Sequence, residues 1–171
     1  MADVKIRPAT RDDLPRLTEI YNYYVINTPI TFDLQPVTVE QRARWYEEHT
    51  GTKRHRLFVA EDAGFVVGWA GSGPFRDRAA YDTSVETSIY CANDAKGRGI
   101  GAAMYRVLLD TLKNEDINRV LAGITIPNET SIKLHRKFGF TDVGVFTECG
   151  RKFDRYWDVI WTQRPLLLAG E

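Results

Sequence analysis

The chain has 171 residues, of which 43% are apolar and 27% are charged, as is typical of a globular protein with a sizeable core. Lys and Arg together number 23, as do Asp and Glu, which excludes a strongly basic protein that binds nucleic acid or an anionic membrane. The two cysteines are too few for a disulfide framework or a zinc site, and no apolar run reaches the roughly 18 residues that span a bilayer. We therefore expect one cytoplasmic domain over residues 1–171, with no metal, nucleic acid or membrane as partner.

Strand and helix patterns alternate through the first half of the chain. "VKIRPAT" alternates apolar and polar residues, which is typical of a strand, and Thr10 with Asp13 then forms a helix-start signature. Thr38 and Gln41 form a second such signature before "RARWYEEH". "RLFVAED" and "FVVGWAGSG" predict two strands joined by a short turn.

The second half continues the alternation. "TSVETSIYC" predicts a strand, "KGRGIG" a glycine-rich loop, and the residues after the loop an amphipathic helix. "RVLAGITI" predicts a buried strand, "ETSIKLHRKF" a short helix that ends at Gly139, and "FTDVGVF" and "RYWDVIWTQ" two final strands. The whole pattern predicts an α/β (α+β) fold, in which helices cover both faces of a mixed sheet of about seven strands.

The loop from Lys96 to Gly101 has the composition of an anion-binding site. Backbone N–H groups at the start of a helix can bind a phosphate, and Lys96 and Arg98 add positive charge. A P-loop requires GxxxxGK[ST], which is absent, and the dinucleotide fingerprint met by "GRGIGA" lacks an acidic residue after the next strand. A coenzyme A pyrophosphate therefore remains, beside the alternative that the glycines only form a flexible turn.

Two motifs resemble those of the GNAT superfamily of acyl-CoA-dependent N-acetyltransferases. Lys96, Gly99 and Gly101 fit the pyrophosphate-binding signature, in which Arg or Gln is more usual at the first place. "NETSIKLHRKFGF" resembles the second motif, with Asn128 opening the helix and His135 where most members carry a tyrosine. The segments "IRPATRDDLPRLTEIYN", "VETSIY" and "GRKFDRYWD" are similar to the phosphinothricin and methionine sulfoximine acetyltransferase subgroup.

The resemblance implies the GNAT fold, in which two central strands splay apart where acetyl-CoA binds. It implies a homodimer, which the aromatic residues of the last two strands also favour, and direct acetyl transfer without a metal. The pantetheine arm would lie along the strand before the loop, where a backbone N–H would stabilise the oxyanion. The residues implied in acetyl-CoA binding are Ile89, Tyr90, Cys91, Lys96, Gly97, Arg98, Gly99, Ile100, Gly101 and Asn128.

Glu86 and His135 are the predicted catalytic residues. Burial on the strand would raise the pKa of Glu86 and suit it to deprotonating the amine, directly or through water, as the subgroup's matching glutamate is held to do. An ion pair with an arginine is the alternative role for Glu86. His135 could protonate the departing thiolate, act as the base, or be a packed core residue. Cys91 invites an acetyl-cysteine mechanism, but nothing nearby suggests a lowered thiol pKa, so we predict that it packs.

Substrate selection is predicted for the loop "GPFRDRAAYD". The guanidinium groups of Arg76 and Arg78 can hold a carboxylate, phosphinate or sulfone oxygen, although a purely solvated loop is the alternative. The substrate-binding residues that the resemblance implies are Phe75, Arg76, Arg78, Glu86, Thr87 and Ser88, and we expect Phe32 of "TPITFD" to form an aromatic wall.

The predicted activity is acetylation of the α-amine of a small amino acid analogue. The resemblance implies a substrate like phosphinothricin or methionine sulfoximine or sulfone, in a reaction that confers resistance, and an ordinary L-amino acid is a further possibility. One alternative is a GNAT enzyme for another amine, but the loop arginines disfavour polycations such as polyamines. The other is a non-catalytic sensor of coenzyme A, which the presence of both Glu86 and His135 disfavours.

Overall fold

A computed structural model describes residues 4–50 and 53–167, without the side chains of residues 48 and 49. Short 3-10 turns occur at Arg11–Asp13, Ala79–Tyr81 and Asn93–Ala95. The helices are α1 (Leu14–Asn27), α2 (Val39–Thr50), α3 (Ile100–Leu112) and α4 (Glu129–Lys137). The strands are β1 (Lys5–Pro8), β2 (Leu57–Asp62), β3 (Phe65–Pro74), β4 (Ser84–Cys91), β5 (Arg119–Ile126), β6 (Thr141–Lys152) and β7 (Arg155–Pro165).

The seven strands form one mixed sheet in the order β1-β2-β3-β4-β5-β7-β6. The central pair β4 and β5 is parallel, and every other neighbouring pair is antiparallel. The predicted α/β fold with a seven-stranded mixed sheet is thereby confirmed. Within the described part of the chain, no helix is both long enough and apolar enough to cross a membrane.

Helices cover both faces of the sheet. On one face Tyr24 of α1 packs edge-on against the ring of Tyr90, with 5.2 Å between ring centroids. On the other face α3 lies close to the sheet at Gly68, where a β-carbon would come within 3.0 Å of Met104. The same β-carbon would lie 3.0 Å from the backbone oxygen of Tyr90, so a side chain at position 68 would crowd both β4 and α3.

The two central strands separate part-way along their length. Pairing between β4 and β5 is limited to three residue pairs and ends at Glu86 and Leu121, although β4 continues to Cys91 and β5 to Ile126. Beyond that point the facing backbone groups of the two strands do not pair with each other. This gap has the form that the family resemblance implies for the splayed sheet.

Local sequence signals explain most element boundaries. Both predicted helix starts are present as reciprocal hydrogen bonds, between Thr10 and Asp13 and between Thr38 and Gln41. The strand predicted as "FTDVGVF" is longer than expected, because β6 continues to Lys152 and then turns through Phe153 and Asp154. Both turn residues have positive φ angles, of 53° and 56°, a conformation typical of a tight hairpin turn.

Candidate active site

The glycine loop forms a backbone cradle at the start of α3. Gly97 and Gly99 both have φ angles of +78°, in the left-handed region that other residues rarely adopt. Gly99 is the N-cap of α3, and its carbonyl oxygen accepts a hydrogen bond of 3.1 Å from the N–H of Ala103. The preceding N–H groups of the first turn have no partner within the helix, so they are available to an anion. This geometry fits the pyrophosphate of coenzyme A.

The two basic side chains of the loop have different surroundings. The Nζ atom of Lys96 donates a hydrogen bond of 2.9 Å to Asn93 and lies 5.0 Å from the centre of the Tyr24 ring. Arg98 forms an ion pair of 2.6 Å with Asp62 at the end of β2. Lys96 is exposed beside the cradle, whereas the guanidinium of Arg98 is tied to the neighbouring hairpin.

The loop lies beside the separated end of β4. A β-carbon at Gly101 would be 3.8 Å from both Cys91 and Ile89, so the first turn of α3 touches the last residues of the strand. Asn128 caps α4, because its Oδ1 accepts a hydrogen bond of 3.2 Å from the N–H of Ser131. The predicted acetyl-CoA residues around the end of β4 and the loop therefore occupy one continuous region.

A cavity of about 280 Å³, here called the central cavity, opens on the opposite face of the sheet. Its floor consists of three cross-strand pairs of β3 and β4, namely Trp69 with Tyr90, Gly71 with Ser88, and Gly73 with Glu86. The two glycines leave the floor without bulky side chains at the Glu86 end. The residues that line it are Tyr21, Asp33, Val37, Gln41, Arg42, Trp45, Trp69, Gly71, Gly73, Pro74, Glu86, Ser88 and Tyr90.

Glu86 is a half-buried carboxylate on the floor of the central cavity. Burial raises the pKa of Glu86, because removal from water disfavours the charged form. No hydrogen bond or ion pair to this carboxylate is found among the described side chains, so the alternative arginine pair is absent there. A carboxylate of this kind can accept a proton from a ligand in the cavity.

His135 is buried in α4 among aromatic rings. Its Nδ1 is 2.8 Å from the carbonyl oxygen of Ser131, and because a carbonyl only accepts, Nδ1 carries the proton in the neutral ring. Its Nε2 is then the unprotonated nitrogen, and it is buried without a hydrogen-bond partner in the described structure. Burial lowers the pKa of His135, and the contact with Ser131 opposes that shift only in part. The resting imidazole is therefore neutral, and Nε2 is the ring nitrogen with a lone pair.

The structure places the two predicted catalytic residues on opposite faces of the sheet. Glu86 faces α1 and α2 through the central cavity, whereas the ring of His135 lies 5.2 Å from that of Tyr105 in α3. The hydroxyl group of Tyr105 hydrogen-bonds Thr87 at 2.8 Å. The side chain of Thr87 thus points away from the central cavity, so any contact of Thr87 with a ligand there would involve its backbone.

The remaining predicted substrate residues, Phe32, Phe75, Arg76 and Arg78, do not line the central cavity. The ring of Phe32 packs against Gly150 of β6, at a site where a β-carbon would overlap the ring. Phe75 packs against Trp161 with 5.9 Å between ring centroids, and the guanidinium of Arg76 lies 5.0 Å from the centre of the Phe75 ring. Arg76 and Arg78 are exposed on the loop after β3.

The sequence interpretation missed the wall that faces this floor. Arg42 and Trp45 lie three residues apart on α2 and both line the central cavity, as does Asp33, which accepts a hydrogen bond of 2.7 Å from the hydroxyl group of Tyr21. Burial raises the pKa of Tyr21 to about 12, so its hydroxyl stays protonated and donates. The helical spacing of Arg42 and Trp45 was the available signal, because residues at i and i+3 share a helix face.

Cys91 is not activated as a nucleophile. Burial raises the pKa of its thiol to about 11, and Lys96 opposes this shift only in part. The thiol is therefore protonated at neutral pH. Among the described residues there is also no group of three or more His, Cys, Asp and Glu side chains that could hold a metal ion.

Comparisons with known proteins agree with this geometry. The profile of the GNAT acetyltransferase domain matches residues 6–161. The chain is 51% identical over 167 residues to a phosphinothricin N-acetyltransferase of Streptomyces coelicolor, covering 96% of this chain and 98% of that protein. It is 32% identical over 161 residues to an L-methionine sulfoximine/L-methionine sulfone acetyltransferase of Pseudomonas aeruginosa, covering 94% of each.

A solved structure extends the likeness to three dimensions. The crystal structure of a phosphinothricin acetyltransferase from Sinorhizobium meliloti in complex with acetyl-CoA matches with a TM-score of 0.91 and 34% identity. The match covers 95% of this chain and 88% of that one. The family resemblance carried by the glycine loop and the α4 motif is therefore confirmed, and the chain belongs to the GNAT family of acetyltransferases.

Proposed function

We propose that this GNAT enzyme transfers the acetyl group of acetyl-CoA directly to the α-amine of a small amino acid analogue. Phosphinothricin and methionine sulfoximine or sulfone are the leading substrates, because the relatives of Streptomyces coelicolor and Pseudomonas aeruginosa bear those names. The observation that carries the proposal is Glu86, a half-buried carboxylate without an ion pair among the described side chains, on the floor of the central cavity.

Acetyl-CoA is proposed to bind on the face opposite the central cavity. The N–H groups after Gly99 and the ammonium group of Lys96 would hold the pyrophosphate. The pantetheine arm would enter the gap between β4 and β5 and form backbone hydrogen bonds with Ile89–Cys91, as an added strand does. The thioester would then lie at the point where the two faces of the sheet communicate.

The chemistry requires one proton transfer before the acetyl group moves. An α-amine titrates near pH 8 and is mostly protonated at neutral pH, so a base must remove one proton to expose the lone pair. The Glu86 carboxylate takes that proton, directly or through a water molecule. The nitrogen attacks the thioester carbonyl, a backbone N–H of β4 stabilises the oxyanion, and the C–S bond breaks to release the thiolate of coenzyme A.

His135 is proposed to act on the side of the thioester. Its neutral ring has no proton on Nε2, so in the resting state it can accept a proton but not donate one from that atom. After the attack the nitrogen of the tetrahedral intermediate still carries one extra proton, and Nε2 would accept that proton and pass it to the departing thiolate. This role differs from that of a simple acid, because Nε2 carries no proton when the cycle begins.

The proposal includes further features that the sequence predicts. The exposed arginines Arg76 and Arg78 would hold an acidic group of the substrate, with Phe32 and Phe75 as aromatic walls. A location in the cytoplasm would give the enzyme access to acetyl-CoA, and acetylation of a toxic analogue would confer resistance. One domain would carry the whole reaction, within a homodimer.

The dimer would form through the last hairpin of the sheet. β6 is an edge strand, and its hairpin with β7 exposes several large apolar side chains, here together called the hairpin patch. An exposed apolar edge strand favours association with another chain. The hairpin patch consists of Val143, Val145, Phe146, Phe153 and Tyr156.

The proposed activity is tested by measuring thiol release from acetyl-CoA with a panel of amines. We expect turnover with L-phosphinothricin, L-methionine sulfoximine or L-methionine sulfone, and much weaker turnover with spermidine and kanamycin. Mass spectrometry of the product should show one acetyl group on the α-amine. Binding of acetyl-CoA without thiol release for any amine in the panel would instead support a sensor and contradict the proposal.

A further inference from the structure

Arg42 is a buried cation that has no anionic partner among the described side chains. Only 5% of its surface is exposed, and its Nε is buried without a hydrogen-bond partner. No ion pair to its guanidinium occurs among the side chains that the structure describes. Placing a charge in the interior without a partner is costly, and such groups are normally paired.

Aromatic rings surround the guanidinium instead. Its central carbon lies 4.3 Å from the centre of the Tyr21 ring, 4.6 Å from that of Trp45 and 5.5 Å from that of Trp69. Contacts of this kind stabilise a cation, but they leave its N–H donors without acceptors. The three rings therefore hold the planar guanidinium group of Arg42 beside the central cavity, where its N–H groups can donate to a ligand.

Arg42 and the loop arginines lie at opposite ends of the central cavity. Arg42 lies above Trp69, which pairs with Tyr90, whereas the loop that carries Arg76 and Arg78 begins where Pro74 pairs with Val85. Tyr90 and Val85 are five residues apart on β4, a distance of about 16 Å at the usual rise of a strand. Glu86 and Ser88 lie between these two ends of the floor.

We infer that Arg42 is an anion-binding residue of the central cavity which, together with the loop arginines, favours those proposed substrates that carry an acidic group at each end of the molecule over methionine sulfone, whose sulfone group is neutral. The loop arginines hold one group, Arg42 holds the other, and the amine lies between them near Glu86. This inference rests on the proposed function, because it names the class of amino acid that the same site accepts. Diacidic amino acids with the skeleton of glutamate fit this arrangement, and phosphinothricin is one of them.

The other charged groups near the guanidinium of Arg42 do not neutralise it. Asp33 also lines the central cavity, but it accepts the hydrogen bond from Tyr21 and does not lie within ion-pair distance of Arg42. Burial lowers the pKa of Arg42, while Tyr21, Tyr90 and Asp33 oppose that shift. Arginine remains protonated at neutral pH even so, and the unpaired positive charge persists for a ligand.

Calorimetry with a diacid that lacks an amine tests the inference without acetyl transfer. Glutarate carries two carboxylates on a five-carbon chain, and valerate has the same length with one carboxylate. We expect the full chain to bind glutarate at least tenfold more tightly than valerate, since a hydrogen-bonded charge pair contributes on that scale. Equal affinity for the two acids would overturn the inference.

Substitutions then assign the preference to Arg42. Arg42→Met should remove the preference for glutarate, whereas Arg44→Met, at an exposed position of the same helix, should retain it. Arg42→Lys keeps the charge without the planar fork, so an intermediate preference is expected, and this variant serves if the methionine variant fails to fold. A preference that survives in both Arg42 variants, or equal weakening of both acids, would show that Arg42 only supports the fold.

Turnover separates this inference from the proposed function. Arg42→Met should raise the KM for L-phosphinothricin by roughly 10- to 100-fold while the KM for acetyl-CoA stays unchanged. An unchanged KM for L-phosphinothricin would contradict the role of Arg42 and leave acetyl transfer intact. Absence of thiol release in the parent enzyme would contradict the proposed function. The binding of glutarate would still test whether Arg42 binds an anion.

Discussion

Three polar side chains that lack a partner among the described residues are central to the proposed reaction and its substrate. The Nε2 of His135 and the Nε of Arg42 are both buried without a hydrogen bond, and the Glu86 carboxylate has no ion pair among the described side chains. Polar groups in protein interiors are normally satisfied, so each exception calls for an explanation. We propose that Glu86 and Arg42, which line the central cavity, find partners in the bound amine substrate, and that His135, on the other face of the sheet, acts on the side of the thioester.

The Glu86→Gln variant tests the base at the residue scale. Its kcat/KM for acetyl transfer should fall by about 100- to 10,000-fold, the usual contribution of general-base catalysis. In the parent enzyme kcat should decline as the pH falls through the raised pKa of Glu86, because protonation removes the base. The variant should lose that acidic limb from a profile measured by thiol release.

Stability measurements separate catalysis from structure for the same variant. Because burial raises the pKa of Glu86, the ionised carboxylate costs the folded state free energy, and this cost appears as the pH rises through that pKa. Glu86→Gln should therefore be at least as stable as the parent at neutral pH in urea unfolding. A clear loss of stability, absent from the surface control Glu19→Gln, would indicate a structural carboxylate instead.

Cys91 gives a second prediction at the residue scale. With a thiol pKa of about 11, Cys91 should react slowly with iodoacetamide at neutral pH and form no acetyl-enzyme detectable by mass spectrometry. Cys91→Ala should keep kcat within roughly tenfold of the parent, since the thiol supplies packing only. Complete loss of turnover in a folded Cys91→Ala enzyme would contradict direct transfer.

At the scale of elements, local signals predicted the fold better than the site. The helix starts at Thr10 and Thr38 and the seven strands follow from residues close together in the chain. The wall formed by Arg42 and Asp33 could not be predicted in this way, because these residues face the floor of the central cavity only through contacts between segments that are distant in the chain. The extension of β6 to Lys152 was also missed, since its turn uses non-glycine residues with positive φ angles.

The long β6–β7 hairpin supports the segment that follows α1. The Nζ of Lys152 donates a hydrogen bond of 2.7 Å to the carbonyl oxygen of Thr31, and Phe32 packs against Gly150. The hydroxyl groups of Tyr21 and Thr31 are 2.6 Å apart, which joins the same segment to α1. The hairpin therefore fixes the position of Phe32 and of the Asp33 side of the central cavity.

Gly150→Ala tests this support. The new β-carbon would overlap the Phe32 ring, which can rotate away, so we expect a rise of roughly tenfold in the KM for the amino acid with little change in stability. Gly144→Ala on the same strand is the matched control, because nothing lies within 4 Å of its β-carbon. Steady-state kinetics of both variants measure the effect, and equal KM values would show that Phe32 does not form a wall of the site.

At the scale of the whole molecule, the proposed binding sites of the two substrates lie on opposite faces of the sheet, and the gap between β4 and β5 would connect them. The central cavity lies on the face covered by α1 and α2, and the glycine loop lies at the start of α3. Because side chains alternate along a strand, the sequence of β4 predicts that Glu86 and Thr87 lie on opposite faces of the sheet, and the structure has them so. The size of the gap, by contrast, depends on how few pairs β4 and β5 form, which no local pattern encodes.

Dimerisation through the hairpin patch is the prediction for the assembly. The parent should sediment as a dimer at micromolar concentration, and Val145→Lys should sediment as a monomer, because the interface would bury an unpaired charge. Phe65→Lys is the control, since Phe65 is 75% exposed at the start of β3, far along the sheet from β6. Monomeric parent protein, or a dimer that tolerates Val145→Lys as it tolerates Phe65→Lys, would rule out this interface.

The most direct test of the whole account is the affinity of a conjugate that joins coenzyme A, through an acetyl bridge on sulfur, to the amine of L-phosphinothricin. If the cradle at Gly99 and the central cavity meet at the gap, one molecule fills both sites, and the conjugate should bind at least 100-fold more tightly than either half. It should also compete with both substrates in steady-state kinetics. Competition with acetyl-CoA alone, at the affinity of coenzyme A itself, would contradict the account.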